Sequence, residues 1–472
     1  MAFLQREKTS LKIIDNRQDY DRNVSSAKDG NNMKNEKKVV VAVILILSLA
    51  ATSGILGQDI ENKDDHTSTG KPRGELTQSK LRNSVDDAAY KFDGKISRRV
   101  LENYLSRAIT MQDLLIGQGN LQDNIRMIKH VGAKFIGRAL CLWNAENDFL
   151  NNVQRAQEIA PQVLAAVPDI ILEACVFETV SPRVNEIAAP AWVFTAFGLP
   201  VEKRNFRYDD MIYPEGQRRP MGPNAQVPDE SRLETQLWFY YQAVTYIGLG
   251  CEAIHFGQVE IMNKNDSDNT HWAHLLSMVR AYAATHARRH IVLCDGHTPT
   301  GGLMHDGNPL LDFNEFPLRI KEVPDKPKEA ILQLGFSDGI YNHSKGGMTV
   351  NGWRCEYLPY LVEFDNYGGS RHPGQPNVQG EFDWIWGYDE ITWFAHQSKE
   401  YRAKWLKYAW NWVRTTDTNG YLEMPGGRVA ASPDIHWYYA NNPIPAVPNG
   451  MGDEETIREI WSSDAAKPKL GD

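Results

Sequence analysis

Cysteine is scarce in this chain. Cys141, Cys175, Cys251, Cys294 and Cys355 are the five in 472 residues, an odd number at wide spacing, with no CxxC and no Cys/His zinc spacing. That excludes a disulfide-stapled mini-fold and points to buried free thiols in a large core. Positive charge is short as well. Lys and Arg number 51 against 60 Asp and Glu, a net charge of −9, which is the wrong sign for a nucleic-acid binder. Several motifs are missing. There is no GxSxG elbow and no HExxH helix. Gly117-Gln-Gly119 opens like a dinucleotide loop, but Gln122 stands where the third glycine belongs. Asn263–Asp268 lacks the glycine and closing glutamate of an EF-hand. No cofactor and no metal is therefore expected. No repeat of solenoid period occurs.

Long apolar runs are also rare, and the main one lies near the N-terminus. Lys37 and Lys38 precede Val39 to Ala51, followed by Thr52-Ser53-Gly54. A basic start, an apolar core and small residues make a secretory signal peptide. Extended to Gly57 the run reaches about 19 residues, so a signal anchor is the rival reading. Met33 begins Met-Lys-Asn-Glu-Lys-Lys, a more ordinary start for such a segment than Met1. The expected organisation is an N-terminal extension with signal peptide or anchor over 1–57, a flexible polar linker over 58–95, and one large domain over 96–472. The protein is expected to be secreted or periplasmic, or held at a membrane if 39–57 is retained.

From residue 96 short apolar runs alternate with helical patterns. Strands are expected at 113–117, 134–142, 169–176, 252–257, 290–295, 329–334, 357–363 and 420–424. Helices are expected at 120–131, 149–166, 232–249, 271–287, 389–413 and 454–461. Ser181-Pro182 reads as a helix cap followed by proline at the first helical position. The segment 335–356 shows no helical pattern, and 189–197 is open to a strand reading. Eight strands separated mostly by helices make a (β/α)8 TIM barrel with long loops at its C-terminal face. A doubly wound open sheet is the alternative.

In such a barrel the chemistry sits at the C-terminal strand ends. The ionisable groups that fall there are mostly carboxylates: Glu178, Glu260, Asp295, Glu363 and Glu423. Crowded carboxylates push their pKa values apart, so that one stays protonated while another stays ionised, and glycosidic cleavage needs such a pair. Glu260 is the candidate acid/base and Glu363 the candidate nucleophile. Arg138 on the second strand suits a carboxylate or an acidic sugar. Glu178, Gln258, Asp295, His297 and Asn366 are candidate hydroxyl binders. Trp386, with Trp143, Trp353, Trp384, Tyr388, Trp393 and the run His436-Trp-Tyr-Tyr439, offers rings on which apolar sugar faces stack. Packing of the helix layer is the competing role for these rings.

A glutamate after strand four and another at the end of strand seven resemble the large retaining glycoside hydrolase clan built on (β/α)8 barrels. Within it, Val259 stands where asparagine usually precedes the acid/base glutamate. The resemblance implies a retaining glycosidase acting on a poly- or oligosaccharide. The alternatives are a non-catalytic glycan-binding barrel and a metal-dependent hydrolase using His255, Asp295 and His297.

Overall fold

The computed structural model describes residues 89–463, apart from 223, 338 and 378–381. The apolar segment 39–57 and the stretch 58–88 lie outside those residues. No helix among the described residues is long and apolar enough to cross a membrane.

The core is a parallel sheet. Its first part runs β1 (Ala108–Met111), β2 (Phe135–Leu140), β3 (Ile171–Cys175), β4 (Ala253–His255) and β5 (Leu293–Asp295), each hydrogen-bonded to the next. A second part joins β6 (Asn314–Pro317), β7 (Tyr360–Glu363) and β8 (Gly420–Leu422), again in parallel. Just past the end of β5, His297 bridges to Glu315 of β6 in parallel. One residue after β8 the chain resumes as β9 (Met424–Val429), which pairs with β1 in parallel. An antiparallel edge strand, β10 (Trp437–Tyr439), lies against β9.

Helices connect most strands. α1 (Arg98–Leu105) precedes β1. α2 (Leu121–Val131) follows β1, starting at Asn120, whose side chain accepts from Asp123 N at 3.0 Å, and ending at Gly132 in the left-handed conformation. α3 (Phe149–Ala166) follows β2, α4 (Ala191–Ala196) and α5 (Leu233–Gly248) follow β3, and α6 (Val259–Met262) and α7 (Thr270–His286) follow β4. α8 (Glu390–Ala395) and α9 (Lys399–Thr416) follow β7, and α10 (Glu454–Ser462) closes the domain. After β5 and β6 the described residues contain two-residue antiparallel pairs instead of helices: 304–305 with 308–309, 321–322 with 330–331, and 347–348 with 354–355.

Several expectations are corrected. The run at 113–117 is a 3-10 turn at Leu114–Ile116 between Asp113 and Gly117, both at positive φ, so it cannot extend. The strand precedes it, at 108–111. The expected sixth strand at 329–334 contributes only Ala330–Ile331 to a small hairpin. The sheet uses Asn314–Pro317 there, whose polar residues carry no apolar signature. The segment 189–197 forms a helix after Pro190, not a strand. The helix expected over 389–413 is two helices. Ser398 is extended and its hydroxyl accepts from Tyr401 N, so it starts α9 afresh. Residues 89–95, assigned to the linker, pack against the domain: Ala89, Tyr90 and Phe92 are buried, and the Tyr104 hydroxyl donates to Tyr90 O at 2.8 Å.

These N-terminal residues and α1 cover the N-terminal ends of the strands. They form one apolar cluster with Ala108, Phe135, Ile171, Ala253, Leu293, Phe313, Leu361 and Tyr421, one residue from each of β1 to β8 or its edge. The second and larger core lies between the outward strand faces and the helices, with Trp238, Trp272 and Trp393 among its fully buried members. Cys175, Cys251, Cys294 and Cys355 are buried and Cys141 half-buried, all as free thiols.

Candidate active site

Strand side chains alternate between faces, so residues two apart share one. Two positions on from the eight apolar strand residues stand Thr110, Gly137, Glu173, His255, Asp295, Glu315, Glu363 and Glu423. Six of the eight are ionisable, and all six are buried. One residue-pair step along the strands turns an apolar layer into a charged one.

Arg138 organises this layer. It sits in β2 at φ 56°, where the pairing with β3 shifts register. A left-handed arginine inside a strand is strained by about 1–3 kcal/mol, and such strain concentrates at functional sites. Its backbone N–H donates to Glu173 Oε2 at 2.9 Å. Its guanidinium donates to both oxygens of Glu363, with Nε to Oε2 at 2.7 Å. Arg428 of β9 reaches the same carboxylate, Nη1 to Oε2 at 3.2 Å, and holds Asp365 through Nη2 at 3.1 Å. His297 Nε2 lies 3.2 Å from Glu363 Oε1. On the other side, His255 Nδ1 lies 2.7 Å from Asp295 Oδ2 and 2.8 Å from Glu315 Oε2. Gly137 leaves room for Glu423, because a Cβ there would lie 1.9 Å from Glu423 Oε1.

The carboxylates divide into two ionisation classes. Burial works to raise the Glu363 pKa, but Arg138, Arg428 and His297 outweigh it and hold the group well below the usual carboxylate range. Burial opposes ionisation of Glu315 too, and His255 and Arg138 bring it down to about 2. Burial raises the other three, with neighbouring carboxylates adding to it. Glu173 rises to about 8, and Asp295 and Glu423 go well above the ordinary value. Burial also lowers the His255 pKa, against the pull of Glu315.

Glu260 occupies different ground. It is half-buried on α6, directly after β4. Its Oε1 accepts from Thr300 N at 3.2 Å and Thr300 Oγ1 at 2.7 Å. Burial raises its pKa against the pull of Thr300 and Lys345. Glu178 and Gln258 satisfy each other: Glu178 accepts from Gln258 N at 3.0 Å and Nε2 at 2.7 Å. Asn366 N donates to Asp365 Oδ1 at 2.8 Å, which ties it to the Arg428 end of the layer. Thus Arg138, His297, Glu363 and Asp295 fall in one buried network, while Glu178 with Gln258, and Glu260 with Thr300, form separate contacts.

Trp386 does not stand open as a sugar platform. It is buried, and its Nε1–H donates to Glu329 O at 2.8 Å. Trp384 and Trp393 are likewise buried, and Trp353 donates to Ile96 O at 3.1 Å beside the apolar cluster that covers the N-terminal strand ends. Half-buried rings remain at Trp143, which meets Phe177 edge-on, and at Trp437 and Tyr439, stacked at 16°. Sequence reasoning missed Glu173, Glu315 and Arg428. Glu173 could have been found as the lone charge inside the apolar run Ile171-Leu-Glu-Ala-Cys175.

No family model matches this chain, and no curated protein matches it either. Among solved structures it is similar to glycoside hydrolases. GH36 alpha-galactosidase AgaA from Geobacillus stearothermophilus aligns over 42% of this chain and 28% of its own, at 12% identity and a TM-score of 0.23. The present chain thus spans little more than a quarter of that enzyme. Isomaltulose synthase SmuA from Protaminobacter rubrum aligns over 58% of this chain and 60% of its own, at 10% identity and a TM-score of 0.29. A debranching enzyme of Nostoc punctiforme, soaked with acarbose, aligns over 76% and 81%, at 9% identity and a TM-score of 0.34.

Proposed function

We propose that this chain is an exported glycoside hydrolase on a closed (β/α)8 barrel, cleaving a poly- or oligosaccharide with two carboxyl groups. Closure is supported by the continuous run of β8 and β9, which pair with β7 and β1 respectively, and by the bridge between His297 and Glu315. The observation that carries the activity is the opposite pKa shift of two glutamates, one at the end of a parallel strand and one just beyond another. Burial raises the pKa of Glu260 after β4, while Arg138 and Arg428 hold that of Glu363 well below the usual range at the end of β7. In this reading Glu260 delivers its proton to the leaving glycosidic oxygen. Glu363 attacks the anomeric carbon, and Glu260 then takes a proton from the water that releases the sugar with retention.

Incubating the full chain with mixed α- and β-linked glycans and measuring new reducing ends tests this. Glu260→Gln is expected to lower turnover by about 10²–10⁴-fold, and proton NMR of the first product is expected to show the substrate's anomeric configuration. A second reading is favoured by one observation: Glu363 is fully buried and doubly paired with arginine. A glycan-binding barrel without catalysis follows if glycans bind and no reducing ends appear. N-terminal sequencing of the mature chain tests export, which predicts a start at Gly54 or Gln58.

A further inference from the structure

The charged layer holds more carboxyl groups than cationic ones. Glu173, Asp295, Glu315, Glu363 and Glu423 face Arg138 and Arg428, all of them buried. Several of their atoms lack any hydrogen-bond partner: both oxygens of Glu423, Asp295 Oδ1, Glu173 Oε1 and His255 Nε2, while the Glu315 oxygens have contacts to His255 Nδ1 at 2.8 Å and Arg138 Nη2 at 3.7 Å. Buried polar groups without partners are costly, and a set of them converging on one place is what a bound cation would satisfy.

The donor set is specific. His255, His297 and Glu315 each bring a ligand atom within 4.8 Å of the other two, and Glu315 belongs as well to the groups it forms with Glu173 and Asp295 and with Glu363 and Glu423. Two imidazoles and one carboxylate are the ligand class of zinc in open, three-ligand sites. His255 Nδ1 is engaged at 2.7 Å by Asp295 Oδ2. That outer bond orients a metal-bound histidine and leaves its Nε2 lone pair free. Arg138 Nη2 lies 3.3 Å from His297 Nε2 and 3.7 Å from Glu315 Oε1, and its charge is paired with Glu363. We propose that this chain binds one divalent cation of the zinc class at the C-terminal ends of β4 to β6, held by His255, His297 and Glu315. The proposal goes beyond the glycosidase reading and stands or falls separately, because its readout is metal uptake.

The test strips the full chain with chelator and titrates Zn²⁺ calorimetrically. Co²⁺ is then used to record the visible bands of a low-coordinate site. One equivalent is expected to bind with Kd below about 1 μM. His297→Ala and Glu315→Gln are each expected to weaken binding by about 100-fold or more. His130→Ala is expected to leave it unchanged, since His130, Glu454 and Glu455 form a separate group. His297 keeps some exposure, 12% of its side chain, so its alanine variant is the one to rely on if a change at buried His255 prevents folding. Absence of saturable uptake overturns the proposal. So does uptake that survives His297→Ala and Glu315→Gln but disappears with His130→Ala.

Discussion

Two layers of side chains sit two residues apart on the same strands, and opposite physics holds them. The lower layer, from Ala108 and Phe135 round to Tyr421, gains from leaving water, at roughly 25 cal/mol per Å² of apolar surface. The upper layer gains nothing from leaving water. Glu173, His255, Asp295, Glu315, Glu363 and Glu423 lose hydration, and only mutual pairing, arginine and bound protons offset the loss. A fold needs the lower layer for stability. It has no such need of the upper one, which is why the upper layer is the place to look for chemistry.

Paired substitutions separate the two layers most sharply. Phe135→Ala in the lower layer is expected to destabilise by about 3–5 kcal/mol, with little dependence on pH. Arg138→Met in the upper layer is expected to cost a similar amount at pH 7, about 3–5 kcal/mol, because it strands the Glu363 charge. That cost has a pH signature. The folded pKa of Glu363 lies below its unfolded value, so its stabilising contribution is present above about pH 4.3 and fades as pH falls through the folded value. Denaturant unfolding from pH 7 down to pH 3 measures both. Equal losses for Arg138→Met at every pH would remove the electrostatic account of the layer.

Legibility in the sequence followed the same division. Where apolar residues recur with a clear period, as in α3, α5 and α7, both the existence and the approximate bounds of elements were readable. Strands two to five and seven were readable from their apolar cores. β6 was not, because Asn314, Glu315 and Pro317 give it no apolar signal. Glu315 went unnoticed with it. Arg138, Asp295, His297 and Glu363 could each be picked out as polar groups near strand ends. That they converge was invisible, since it depends on the register of β2, β5, β6 and β7. The strained φ of Arg138 has no counterpart in residue type at all.

A smaller effect of opposite sign is expected at Glu173. Its folded pKa of about 8 lies above the unfolded value, so the folded state holds a proton that the unfolded chain releases. Between about pH 4.3 and 8 the folded form binds more protons, and stability falls as pH rises. Glu173→Gln keeps an acceptor for Arg138 N and has no charge to bury. It is expected to raise stability by roughly 3 kcal/mol at pH 7 and by almost nothing at pH 4. A variant less stable than the parent at pH 7 would mean that Glu173 is ionised and paired.

The smallest effect on stability is expected at the rim. Glu260 is half-buried, and its contacts are to Thr300. Gln at this position still offers an acceptor to the Thr300 N–H and hydroxyl, so Glu260→Gln is expected to change unfolding free energy by no more than about 0.5 kcal/mol. Its raised pKa gives that change a sign: above the unfolded carboxylate value the charged form is disfavoured in the fold, so removing the charge stabilises slightly. Turnover, by contrast, is expected to fall by orders of magnitude. A group whose loss abolishes activity while leaving the fold intact acts in the chemistry, whereas a loss of about 2 kcal/mol or more would place Glu260 among the groups that hold the structure together.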